Sequence, residues 1–166
     1  MNRRDIVIGV GVLLLIGGLV FYWRQKSTKK EQIVVPAVQS VQDKIEEKFK
    51  YQIPENVDKA ELKDVTGGNA SAIATREYQN QKYSSTFLAD LPDPEAGTFY
   101  QAWLVKGTQG QEGYSIVSLG KLVIAKGGWM IDFSSQKDYT SYDKVMVTKE
   151  TIFDNTFEKT VLEGSF

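Results

Sequence analysis

Three short stretches of this chain carry residue types that could do chemistry. Ser118-Leu-Gly-Lys121 matches the S-x-x-K spacing in which a lysine sits close to a serine nucleophile. That chemistry needs the serine at a helix start and S-D-N and K-T-G elements elsewhere. Neither element occurs, Lys106-Gly107-Thr108 has the wrong order, and the surrounding sequence reads as strand. Asp90, Asp93 and Glu95 in ADLPDPEAG offer carboxylates, yet the D-x-[DN]-x-[DN]-G spacing of a calcium loop is missing. Pro92, Pro94 and Gly97 make that stretch a rigid turn with solvated acids. Lys106 to Gly113 is glycine-rich but lacks the terminal Lys-Ser/Thr of a phosphate loop, so it reads as a hairpin loop. Asn69-Ala-Ser71 has the pattern of a glycosylation sequon, which matters only in a eukaryotic source.

The composition narrows the chemistry further. There is no cysteine and no histidine, so disulfides, thiolate zinc sites, thiol nucleophiles and imidazole bases are excluded together. The acid–base option that remains is a pair of carboxylates brought together by folding. No catalytic, cofactor-binding or metal-ligating residue is therefore assigned, and the chain is read as a non-enzyme. From Glu31 onward there are 14 basic and 20 acidic residues, a balance that disfavours nucleic acid as a partner.

The elements that would position such residues begin with an anchor. Ile6 to Trp23 is an uncharged apolar run of about 27 Å as a helix, close to the hydrocarbon thickness of a bilayer. A cleaved secretory signal is the alternative, but the run ends in Phe21-Tyr22-Trp23-Arg24 with no small-residue cleavage triplet. The aromatic belt and the cations Arg24 and Lys26 fit an uncleaved span. The organisation expected is thus a head over residues 1–5, a transmembrane helix over 6–23, a linker and amphipathic helix over 24–59, and a folded domain over 60–166. The lipid bilayer is the partner implied by Ile6 to Trp23; the Arg24–Lys30 cluster suits anionic headgroups.

Val38, Val41, Ile45 and Phe49 recur at spacings of three and four, predicting a helix over 36–49 with Pro36 at its first position. Its stripe suits either a short coiled-coil stalk or packing on the domain. Beyond Ile53-Pro54 the pattern changes to strands. These are expected over 59–66, 70–78, 82–91, 98–106, 114–125, 129–134, 144–150 and 160–166, with a polar turn at Gln79-Asn80-Gln81. Residues 98–106 are apolar on both faces, which marks a central strand. Eight short strands with turn signals between them and no intervening helix predict a mainly β fold, a single antiparallel β-sandwich. Phe87, Trp103, Leu104, Trp129, Ile131 and Val147 are the expected core.

Three stretches taken in order resemble a known family. Tyr100-Gln101-Ala102-Trp103-Leu104-Val105 follows a proline-rich turn, Asp143 to Glu150 reads DKVMVTKE, and the chain closes on VLEGSF at 161–166. The segments are similar to the "Y-Q-x-W-L", "D-x-V-x-V-T-x-E" and "V-L-x-G" strands of the C-terminal, extracytoplasmic domain of anti-sigma-K factors (RskA-like). On this resemblance Tyr100, Gln101, Trp103, Leu104, Asp143, Val145, Val147, Thr148, Glu150, Leu162 and Gly164 are structural family-motif residues. It also implies a single-pass protein of the cell membrane with its domain outside the cytoplasm, against a small excess of cations on the domain side. The family's zinc-binding sigma-factor domain has no counterpart in a five-residue head without cysteine or histidine. The function expected is an anchored sensing, binding or regulatory module contacting a membrane or envelope protein. The alternatives are a self-associating structural surface protein and a carboxylate-based envelope hydrolase.

Overall fold

The computed structural model describes residues Gln39–Phe166. The Ile6–Trp23 run, the basic flank, Pro36 and Val38 lie outside the described residues. Among those described, no helix is long and apolar enough to cross a membrane.

One helix and nine strands make up the domain. Helix α1 spans Val41–Phe49, later than the start expected at Pro36, because Ser40 caps it. The Ser40 hydroxyl accepts from Asp43 N, and the Asp43 carboxylate accepts from Ser40 N, a reciprocal capping box. Lys50, in the left-handed conformation, ends it. The strands are β1 (Asp58–Asp64), β2 (Ser71–Gln79), β3 (Lys82–Asp90), β4 (Phe99–Lys106), β5 (Ser115–Lys121), β6 (Val123–Ala125), β7 (Gly128–Ser135), β8 (Lys144–Glu150) and β9 (Lys159–Ser165). All pairings are antiparallel.

The mainly β, antiparallel expectation holds, but the strands form one sheet in the order β5-β4-β8-β9-β1-β2-β3-β7-β6 rather than two facing sheets. The reason lies in β1, which pairs with both β2 and β9 and so joins the two halves by hydrogen bonds. The sheet curls until its ends nearly meet: its first strand, β5, and its last, β6, are separated in the chain by Leu122 alone. The stretch 114–125, expected as one strand, is therefore two, broken at Leu122, just past the register shift at Ala102/Trp103 and Gly120 with its φ of +120°.

The interior is filled by alternating small and large residues, as narrow closed sheets require. Ala72, Ala74, Ala89 and Ala102 leave room for Tyr83, Phe87 and Tyr100, with Leu62, Leu104, Val145, Val147 and Leu162 completing the packing. Of the expected core, Phe87, Trp103, Leu104 and Val147 are fully buried, while Trp129 and Ile131 pack partly buried against it.

Two patches of the outer surface are also covered. Ile45 and Phe49 of α1 lie on Ile73 and Leu88, so the helix stripe packs on its own domain. Gly128 permits this, since a Cβ there would overlap the Phe49 ring. On another part of the outside, Trp103, Val105 and Met146 are buried beneath Tyr114, Ile116 and Phe157. Strand β4 is consequently enclosed on both faces.

Candidate functional site

The three motif stretches become three neighbouring strands, β4, β8 and β9. Tyr100, Leu104, Val145, Val147 and Leu162 point into the interior. The Asp143 carbonyl accepts from Phe166 N at 2.9 Å and ties down the chain end. Gly164 sits where β9 passes β1: a Cβ there would collide with the Glu61 carbonyl. The strand pairing places Gln101 opposite Thr148, and Phe99 opposite Glu150, so these side chains share the outer face with Trp103.

The polar members of this set are buried and each makes at least one hydrogen bond, although Gln101 Oε1 has no partner among the described residues. Trp103 Nε1 donates to Thr148 Oγ1 at 2.7 Å. Gln101 Nε2 donates to Ser118 Oγ at 2.9 Å and to the Asp154 carbonyl at 3.3 Å. Both carboxylate oxygens of the buried Glu150 accept from Glu158 N, at 3.1 and 3.2 Å. Three of these hydrogen bonds, from Gln101 and Glu150, reach into the segment between β8 and β9, residues 151–158.

That segment is held from within as well. One oxygen of Glu158 accepts from Thr151 N, Thr151 Oγ1 and Ile152 N at 3.0, 2.7 and 3.1 Å. These donors hold the Glu158 carboxyl below the usual carboxylate range. Asp154 Oδ1 accepts from Thr156 N, and the Phe157 ring meets Trp103 edge-on with centroids 6.0 Å apart. The loop backbone is thus fixed by buried strand residues. What it presents outward is Ile152, 64% exposed, and Phe153, 57% exposed. Phe153 extends an aromatic surface to Phe99, 6.3 Å away, and Lys121 Nζ lies 3.7 Å from the Phe99 centroid. A fixed loop with two large apolar side chains in water has lost its conformational entropy before any partner arrives, and that lowers the cost of binding.

The other sequence candidates are scattered. Ser118 Oγ is engaged by Gln101, and Lys121 covers an aromatic ring on a strand rather than a helix start. Asp90 pairs with Lys48, and Glu95 pairs with Lys149. Among the described residues no group of three acidic side chains converges on a point. The Lys106 to Gly113 stretch starts at the last residue of β4 and continues into the loop to β5, with Gly107, Gly110 and Gly113 all at positive φ. Ile152 and Phe153 are not among the residues singled out in the sequence. The available signal is a pair of large apolar residues in the otherwise polar stretch ETIFDNTFEK.

Compared with family models, curated proteins and solved structures, the chain matches none.

Proposed function

We propose that this chain is a membrane-anchored, non-enzymatic envelope module, related to the extracytoplasmic domain of anti-sigma-K factors, that docks a protein partner on its β8–β9 loop. The observation that carries the reading is the pairing of exposure with rigidity. Ile152 and Phe153 stand in solvent on a backbone fastened by Glu150, Gln101 and Glu158. Solvent-exposed apolar clusters of this kind mark interaction sites, and rigid aromatic anchors carry much of the energy of docking. The acidic side chains near it are engaged in loop bonds or ion pairs, which supports binding over acid–base chemistry.

The test is photo-cross-linking in intact cells from a photoreactive aromatic residue placed at position 153. A discrete adduct with another protein, lost when Ile152 is also changed to Ser, is the expected result. No adduct in cells that express the protein would end the reading. Protease added to spheroplasts should degrade the domain if it lies outside the cytoplasm.

A second reading, self-association, rests on the sheet's terminal strand β6, where Val123 and Ile124 are 59% and 65% exposed on an edge that lacks a charged residue. An adduct between two copies, dependent on Val123 rather than Ile152, would favour it.

A further inference from the structure

At the end of the sheet opposite the β8–β9 loop, the β2–β3 turn and the end of β7 enclose an open concavity of about 750 Å³. This lies within the range of small-molecule sites, roughly 300–1,000 Å³. Its lining includes Tyr78, Asn80, Gln81, Lys82, Ser134 and Gln136. Tyr78, 39% exposed, lies cross-strand from the buried Tyr83, which is opposite Ser135 on its other side. An aromatic ring therefore stands at the rim of the sheet's interior, next to a wall of amides and hydroxyls.

The turn itself is costly. Asn80 and Gln81 both have positive φ, +51° and +60°, as a two-residue hairpin turn of this hand requires. Asn followed by Gly is the relaxed solution, and the domain's other two-residue hairpin, at Lys126-Gly127, has glycine in the second position. Gln81 occupies that second position with its backbone in a sparsely populated conformation, and the residue lines the concavity. A glutamine is kept at this position at a cost to the turn.

The chemistry of the lining selects a ligand class. Amide and hydroxyl groups donate and accept together, as sugar hydroxyls do, and a partly exposed tyrosine ring offers apolar surface to the C–H side of a pyranose ring. Lysine supplies the one ionised group in the lining, too little for a nucleic-acid backbone. None of the lining residues is an Asp or Glu, so the pair of carboxylates that glycoside hydrolysis uses is not present in this concavity. We propose that the Tyr78–Gln81–Ser134 concavity binds, without cleaving, a neutral oligosaccharide chain.

The test uses the full chain in a zwitterionic detergent free of sugar headgroups. Cellohexaose, chitohexaose and maltohexaose are titrated to millimolar concentration by isothermal calorimetry. Saturable heat with at least one of them is expected, weakened about tenfold or more by Tyr78→Ala. Gln81→Gly guards against a variant that merely unfolds: it relieves the turn, so the melting temperature should rise while sugar affinity falls. No saturable heat with any of the three sugars overturns the proposal. So does binding that survives in Tyr78→Ala, and so does affinity unchanged in a stabilised Gln81→Gly.

Discussion

The indole nitrogen of Trp103 donates to the hydroxyl of Thr148 at 2.7 Å, a bond between β4 and β8 with both residues fully buried. Thr148→Val keeps the shape and removes the acceptor, leaving a buried N–H without a partner at a cost of about 1–3 kcal/mol. Trp103→Ala removes the ring as well and should cost about 3–5 kcal/mol. Urea denaturation measures both, and a loss under 0.5 kcal/mol for Trp103→Ala would contradict the packing described.

Glu158 ties the β8–β9 loop to itself, and its pH response has a definite sign. Because its hydrogen-bond donors depress the folded-state value, the stabilisation is present above the unfolded value and is lost as pH falls through the folded one. Amides of Thr151 and Ile152 should therefore stay protected from exchange at neutral and mildly acidic pH and lose protection only in stronger acid. Glu158→Ala should abolish that protection at neutral pH while the rest of the sheet exchanges as before. Unchanged protection in this variant would mean that the loop is held otherwise.

Gly164 has a packing role that any side chain would break. A Cβ at this position collides with the Glu61 backbone, which cannot move without disturbing the β1–β2 pairing. Gly164→Ala should destabilise the domain by about 1–3 kcal/mol or more, and thermal unfolding would show it.

Phe49 and Gly128 should be coupled. Gly128→Ala alone forces the Phe49 ring out of its place, whereas in a Phe49→Leu background the same change meets a smaller side chain. A double-mutant cycle is expected to give an interaction energy of about 0.5–3 kcal/mol. Strict additivity would argue that α1 does not seat on β7 as described.

Ile152→Ser with Phe153→Ser should leave stability within about 0.5 kcal/mol of the parent, since both side chains are mostly in solvent. Partner cross-linking, by contrast, should vanish. A large drop in stability would assign these residues to the fold instead of to docking.

Much of the strand inventory is readable in the residues themselves. Strand β8 has the bounds expected of DKVMVTKE after its aspartate, and the two apolar faces of 98–106 are the two buried faces of β4. What period-two patterns do not contain is which strand neighbours which. The continuity of the sheet rests on β1 pairing with β9, and alternation in either strand looks the same whether they pair or face one another. The helix starts at Val41 although Pro36 is a strong signal in isolation, because Ser40 with Asp43 three residues on satisfies more backbone groups. The contacts of Gln101 with Asp154 and of Glu150 with Glu158 depend on a loop conformation. Their consequence, an exposed Ile152–Phe153 pair on a fixed backbone, follows from the tertiary structure alone.

The single-residue link at Leu122 bears on how the sheet assembles. Strands β5, β6 and β7 meet within a short stretch of chain, so bringing the two ends of the sheet together costs little loop entropy. The expensive closure is elsewhere: β1 joins β9 across about a hundred residues, through the register pairs Lys63–Glu163 and Asp64–Leu162. The β1–β9 seam is thus the contact on which the folding rate of the whole ring should depend most, because it closes one of the longest loops in the sheet.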